Sequence, residues 1–130
     1  AMKTLLVITA AAVLVLGGCP AASTDTGTLD PNVLYIFHNN SGSMCLDALD
    51  WLAELQIAHP ALTVEEHLTY ETGEMTQLTT FVALYTASQG VSDDFAYLPI
   101  IFFQEQAFSG FNDEVAQALE ALLAAAENGP

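Results

Sequence analysis

The stretch "VLYIFHNNSGSMCLDALDWL", residues 33–52, changes character twice. Val33 to Phe37 is a continuous apolar run, the pattern of a central strand covered on both faces. A polar turn containing Ser41, Gly42 and Ser43 breaks that run. Beyond it, Leu46, Leu49, Leu52 and Ala53 share one face of a helix, and Asp47, Asp50 and Glu54 share another. His59-Pro60 ends the helix, because proline disfavours helical geometry in the residue before it. A strand, a turn and a helix with Cys45 near its first turn therefore open the fold.

Working outward, "LTVEEHLTY" (62–70) is rich in β-branched and aromatic residues and alternates only partly, which predicts a strand near the sheet edge. "GEMTQLTTFVALYTASQG" (73–90) places Met75, Leu78, Val82 and Tyr85 at helical spacing, with Gly90 as the C-terminal stop. A loop, "VSDDFAY" (91–97), leads to "LPIIFF" (98–103). Pro99 belongs at the start of that strand, since a proline within a central strand removes a ladder hydrogen bond. "QEQ" turns the chain into "AFSGF" (107–111), completing a hairpin. Asn112 then caps a last helix whose stripe is Val115, Leu119, Leu122 and Ala126. The order β-α-β-α-β-β-α predicts an α/β fold in three layers: a parallel pair joined by a right-handed crossover, an antiparallel hairpin, and hence a mixed four-stranded sheet. No internal repeat is present.

The N-terminus reads as targeting. Met2-Lys3, the apolar run Leu5–Leu16 and the small residues before Cys19 form a signal peptide over 1–18, and the run is shorter than the ~20 residues of a spanning helix. "LGGC", Leu16 to Cys19, resembles a bacterial lipobox, which implies cleavage before Cys19 and a lipid on that residue. Residues 19–32 then form a tether too polar and too rich in proline, serine and glycine to fold, and the domain runs from 33 to 130. This implies a bacterial envelope location, lipid-anchored on the periplasmic or extracytoplasmic face, with membrane contact only through the lipid.

The chain has 16 acidic residues and a single basic one, Lys3. Nothing in the domain can neutralise phosphates, so nucleic acid is excluded as a partner. Such acidity serves solubility or a salty medium, or steers the domain toward a basic partner protein. With Cys19 lipidated, Cys45 is the domain's one thiol, and no internal disulfide forms.

The order of elements, with "VLYIFHNNSGSMC" early and "YLPIIFFQEQAFSGF" late, resembles the thioredoxin superfamily in its compact, glutaredoxin-like form over residues 33–127. By position, Cys45 takes the second cysteine of the CxxC motif, Pro99 the cis-proline, and Gly42 the place of the first, attacking cysteine. The resemblance implies thiol-disulfide oxidoreductase chemistry by descent. It also implies protein or peptide thiols and disulfides as partners, no cofactor, and a substrate groove at Ser41, Gly42, Ser43, Leu98 and Pro99. The attacking position matters because helix N-terminal N–H groups and the dipole lower a thiol pKa from its usual ~8.5. With glycine there, attack and resolution cannot run within one molecule.

Three functions are open on this frame: an incomplete oxidoreductase, a non-catalytic peptide-binding module, and a single-thiol redox protein using Cys45. Cys45 is equally read as a small buried hydrophobe. A negative φ at Gly42 means a cysteine fits there, whereas a positive φ means the turn has been rebuilt. His38 reads as a hydrogen-bonded rim residue, His59 and His67 as surface, and Phe102, Phe103, Phe108 and Phe111 as core. His38, Met44 and Cys45 offer nitrogen and sulfur to a soft metal, but copper chaperones on the resembled fold use two cysteines, so no metal site is assigned.

Overall fold

The computed structural model describes residues 29–128. In chain order the elements are β1 (Val33–His38), α1 (Ser43–Ala58), β2 (Thr63–Leu68), α2 (Glu74–Val82), β3 (Gln89–Gly90), β4 (Ile100–Phe103), β5 (Gln106–Ser109) and α3 (Asp113–Asn128). They form one mixed sheet in the order β2-β1-β4-β5-β3. β1 pairs in parallel with β2, Val33 opposite Thr63 through His38 opposite Leu68. Its other edge pairs antiparallel with β4, which forms the expected hairpin with β5.

Alternation along the strands builds two cores. Leu34 and Ile36 of β1 and Ile101 and Phe103 of β4 face α1 and α3, where Ala48, Leu52, Leu55, Val115, Leu119 and Leu123 meet them. Tyr35, Phe37, Ile100 and Phe102 face the other way, against Leu78 and Phe81 of α2. Because both faces are covered, β1 and β4 are apolar at nearly every position, and each such side chain contributes about 1.5–3 kcal/mol by leaving water. β2, at the edge, holds no fully buried residue and exposes Thr63, Glu65 and Glu66, as its partial alternation predicts.

The expectation of four strands is corrected to five. The added strand, β3, pairs in parallel with β5, Gln89 opposite Phe108 and Gly90 opposite Ser109. It lies in the stretch read as the end of a helix. α2 stops at Val82, its last turn tightened by bonds from the N–H of Leu84 to Phe81 O and of Tyr85 to Val82 O. Tyr85 therefore lies beyond the helix, against Phe102, and Met75 is exposed. Leu78 is buried as expected, and it is joined by Phe81, whose ring packs edge-on against Tyr35, Phe37 and Phe102. Gly90, with φ of 100°, turns the chain at β3 rather than capping a helix.

On α1 the buried stripe is Cys45, Ala48, Leu52 and Leu55. Leu46 and Ala53 are exposed and Leu49 only partly covered. Small residues at 45 and 48 let the helix lie close to the sheet, which a count of large apolar residues misses. On α3, Leu123 replaces Ala126 in the stripe, and Leu122 packs at its margin. Asn112 caps this helix as expected, its Oδ1 accepting the Val115 N–H at 2.9 Å.

At the start of the described chain, Leu29 packs against the α2-side core. The Asp30 N–H donates to the Tyr35 hydroxyl at 3.2 Å, and Gln104 Nε2 donates to Pro31 O at 2.6 Å. The signal peptide over 1–18 and the lipidation at Cys19 lie outside the described residues. Among the described residues no helix is long and apolar enough to cross a membrane.

Candidate functional site

β1 ends at His38, and continuing its register with β4 one step beyond the Phe37–Ile100 pair sets His38 opposite Pro99. The loop 39–42 and the proline thus converge at one end of the sheet. The Leu98-Pro99 peptide bond is cis, and Pro99 is fully buried.

Side chains at the end of β1 shape the loop. The Asn40 N–H donates to His38 Nδ1 at 2.9 Å. A backbone N–H only donates, so Nδ1 is unprotonated and Nε2 carries the proton that it gives to the Glu66 carboxylate on β2. His38 is not a rim residue: it is 0% exposed. A buried imidazole is stable there because both nitrogens are satisfied: Nδ1 uses its lone pair to accept from Asn40, and Nε2 donates. Asn39 Oδ1 accepts the N–H groups of Ser41 and Gly42, each at 3.1 Å, and Asn40 takes the left-handed φ of 59° that asparagine tolerates.

Gly42 is the N-cap of α1, with φ −69° and ψ 151°. Its carbonyl accepts the Leu46 N–H at 2.9 Å, and no side chain caps the helix. The N–H groups of Ser43, Met44 and Cys45 make no hydrogen bond among the described residues. These are the donors that would stabilise an anion at position 42. The one thiol is a turn further in: Cys45 is 1% exposed and unbridged. A Cβ built on Gly42 would lie 3.9 Å from Cys45 Sγ and 3.8 Å from Asn39 Oδ1, both ordinary contacts.

The loop carrying Pro99 is held by two buried serines that sequence reading missed. Ser109 Oγ accepts the Tyr97 N–H at 2.9 Å and donates to Tyr97 O at 2.8 Å. Ser88 Oγ donates to Ser92 O at 2.7 Å and accepts the Phe95 N–H at 3.0 Å. The Gly110 N–H adds a bond to Pro99 O at 2.9 Å. A hydroxyl inside the apolar strand "AFSGF" was the available signal, since a buried hydroxyl needs partners. The backbone N–H and carbonyl of Leu98 make no hydrogen bond among the described residues.

Of the residues expected to form the site, Ser41, Gly42, Ser43 and Cys45 lie on the loop and first turn of α1, and Leu98 and Pro99 enter the neighbouring strand. His67 departs from its reading as a surface residue: its side chain is 10% exposed. It stacks on Phe37 with ring centroids 4.4 Å apart, and its nitrogens face Glu65 and Glu74. The inward face of the edge strand, covered by α2, accounts for this. His59, partly exposed, pairs with Glu127 at 2.8 Å. Among the described residues no three of His, Cys, Asp and Glu are grouped to hold a metal ion.

Comparison with models of known protein families, with curated proteins and with solved structures gives no match.

Proposed function

We propose that this chain carries a thioredoxin-like domain, oxidoreductase by descent, whose attacking cysteine position is filled by Gly42. We further propose that it acts as a non-catalytic module holding an extended peptide beside Ser41, Gly42 and Pro99. The observation that carries this reading is the pairing at the head of α1: an uncapped helix N-terminus with no thiol at position 42, and the only described thiol buried at Cys45. Nucleophilic attack needs an accessible thiolate, and resolution needs a second one. The unpaired backbone of Leu98 supplies a donor and an acceptor for a peptide strand, as in strand addition. Protein or peptide segments are the partners on this reading.

The single-thiol alternative requires Cys45 to be reachable, and burial argues against it. The lipid on Cys19 and the envelope location belong to the same proposal and rest on the sequence alone. An insulin-reduction assay with dithiothreitol tests the loss of activity, run beside alkylation of Cys45. The expected result is no acceleration over dithiothreitol alone, with alkylation only after denaturation. Turnover comparable with a two-cysteine thioredoxin, or rapid native alkylation, contradicts the reading.

A further inference from the structure

A cleft of about 350 Å³ lies between α1 and α3, away from the loop at 39–42. Its walls are Trp51, Leu55 and Ala58 on one helix and Ala124 on the other, with the carboxylates of Glu54 and Glu120 beside them. Two side-chain bonds link the α1 and α3 segments beside it. Trp51 Nε1 donates to Glu120 Oε2 at 2.8 Å, and His59 Nδ1 meets Glu127 Oε2 at 2.8 Å. Glu54 makes no hydrogen bond among the described residues.

The His59–Glu127 contact puts the C-termini of both helices at the same end of this cleft. Each helix end carries partial negative charge, and neither last turn holds a basic residue. With Lys3 the only lysine or arginine of the chain, nothing within residues 29–128 other than a histidine can answer that field. The apolar walls suit an aliphatic stem, while the indole and the carboxylates suit a cationic head. Two other clefts, of about 240 and 200 Å³, each offer a single carboxylate and no tryptophan.

We propose that the α1–α3 cleft docks a lysine or arginine side chain of a partner protein. This site is separate from the peptide groove and stands or falls independently of it. Trp51 is the chain's single tryptophan, so its fluorescence reports on the cleft. The probe is a capped trilysine peptide, with its triarginine counterpart, titrated into the full chain. The expected result is a saturable change in Trp51 fluorescence. Glu54→Gln with Glu120→Gln should weaken it about tenfold, while Glu71→Gln, which removes an exposed charge between β2 and α2, leaves it unchanged. Glutamine at 120 can still accept the indole N–H, so folding is not the variable. Equal weakening by Glu71→Gln, or no saturation, overturns the proposal in favour of diffuse attraction. Tighter binding of spermidine, with the same three charges, overturns the assignment to a protein partner.

Discussion

Ser109 sits in a strand whose neighbours are apolar, and its hydroxyl closes two bonds to the backbone of Tyr97. Replacing it with alanine orphans the Tyr97 N–H and loosens the segment that delivers Leu98 and Pro99. Ser109→Ala should cost about 1–3 kcal/mol, read as a shift of the urea midpoint with unchanged slope. A loss below ~0.5 kcal/mol would mean that this segment is held by other contacts. At this scale the sequence was only partly legible. Cys45, Gly42 and Pro99 stand out as residue types at a spacing. His38, Ser88 and Ser109 do not, because what makes them matter is a partner distant in sequence or buried out of sight. His38 depends on Glu66 across the sheet, and His67 is covered by Phe37 and by a helix that sequence alone does not place.

Among the elements, the start of α3 and the end of α1 at His59-Pro60 are written locally, whereas the end of α2 is not. Asn112 precedes its helix directly and bonds the third residue on, so it could be assigned from the sequence. Asn112→Ala should destabilise the domain by about 1 kcal/mol in thermal or urea unfolding, and Asn112→Ser should restore most of it. No effect of either would show that α3 is fixed by packing alone. The end of α2 was misread because Val82 and Tyr85 continue the helical spacing by chance, while Phe81 was overlooked as the anchor. β3 was invisible for a different reason: a two-residue strand has no periodicity, and its pairing with β5 is a tertiary event. The stripe of α1 keeps Leu52 but takes Cys45, Ala48 and Leu55 in place of Leu46, Leu49 and Ala53, because the sheet packs against the face with small residues at 45 and 48.

For the whole molecule, charge and burial act together on its alkaline limit. Burial raises the pKa of Tyr35 above its ordinary value near 10; Glu65 and Asp30 add to this, and the Asp30 N–H opposes it. Tyr85 is raised likewise by burial, then by Glu105 and by Tyr35. As pH climbs past about 10 the unfolded chain gives up these protons first, so stability is whole below that value and falls as pH passes through the folded pKa values. Tyrosinate absorbance should therefore develop at higher pH in the folded domain than in urea; coincident curves would contradict it. The layered α/β arrangement was legible at this scale because apolar runs and their order along the chain encode it. The proposed thioredoxin-like site rests on geometry at one place, where Gly42 has an ordinary negative φ and its missing Cβ would lie 3.9 Å from Cys45 Sγ. That is near enough for two sulfur atoms to meet at the bond length of about 2.05 Å after side-chain rotation. The most direct measurement is to make Gly42→Cys, oxidise it in glutathione and map the cysteines by peptide mass spectrometry. The account predicts one reversible disulfide between the introduced cysteine and Cys45 in an intact fold; two cysteines that both take up alkylating agent on denaturation without reductant, after oxidation of a protein whose fold is intact, would contradict it.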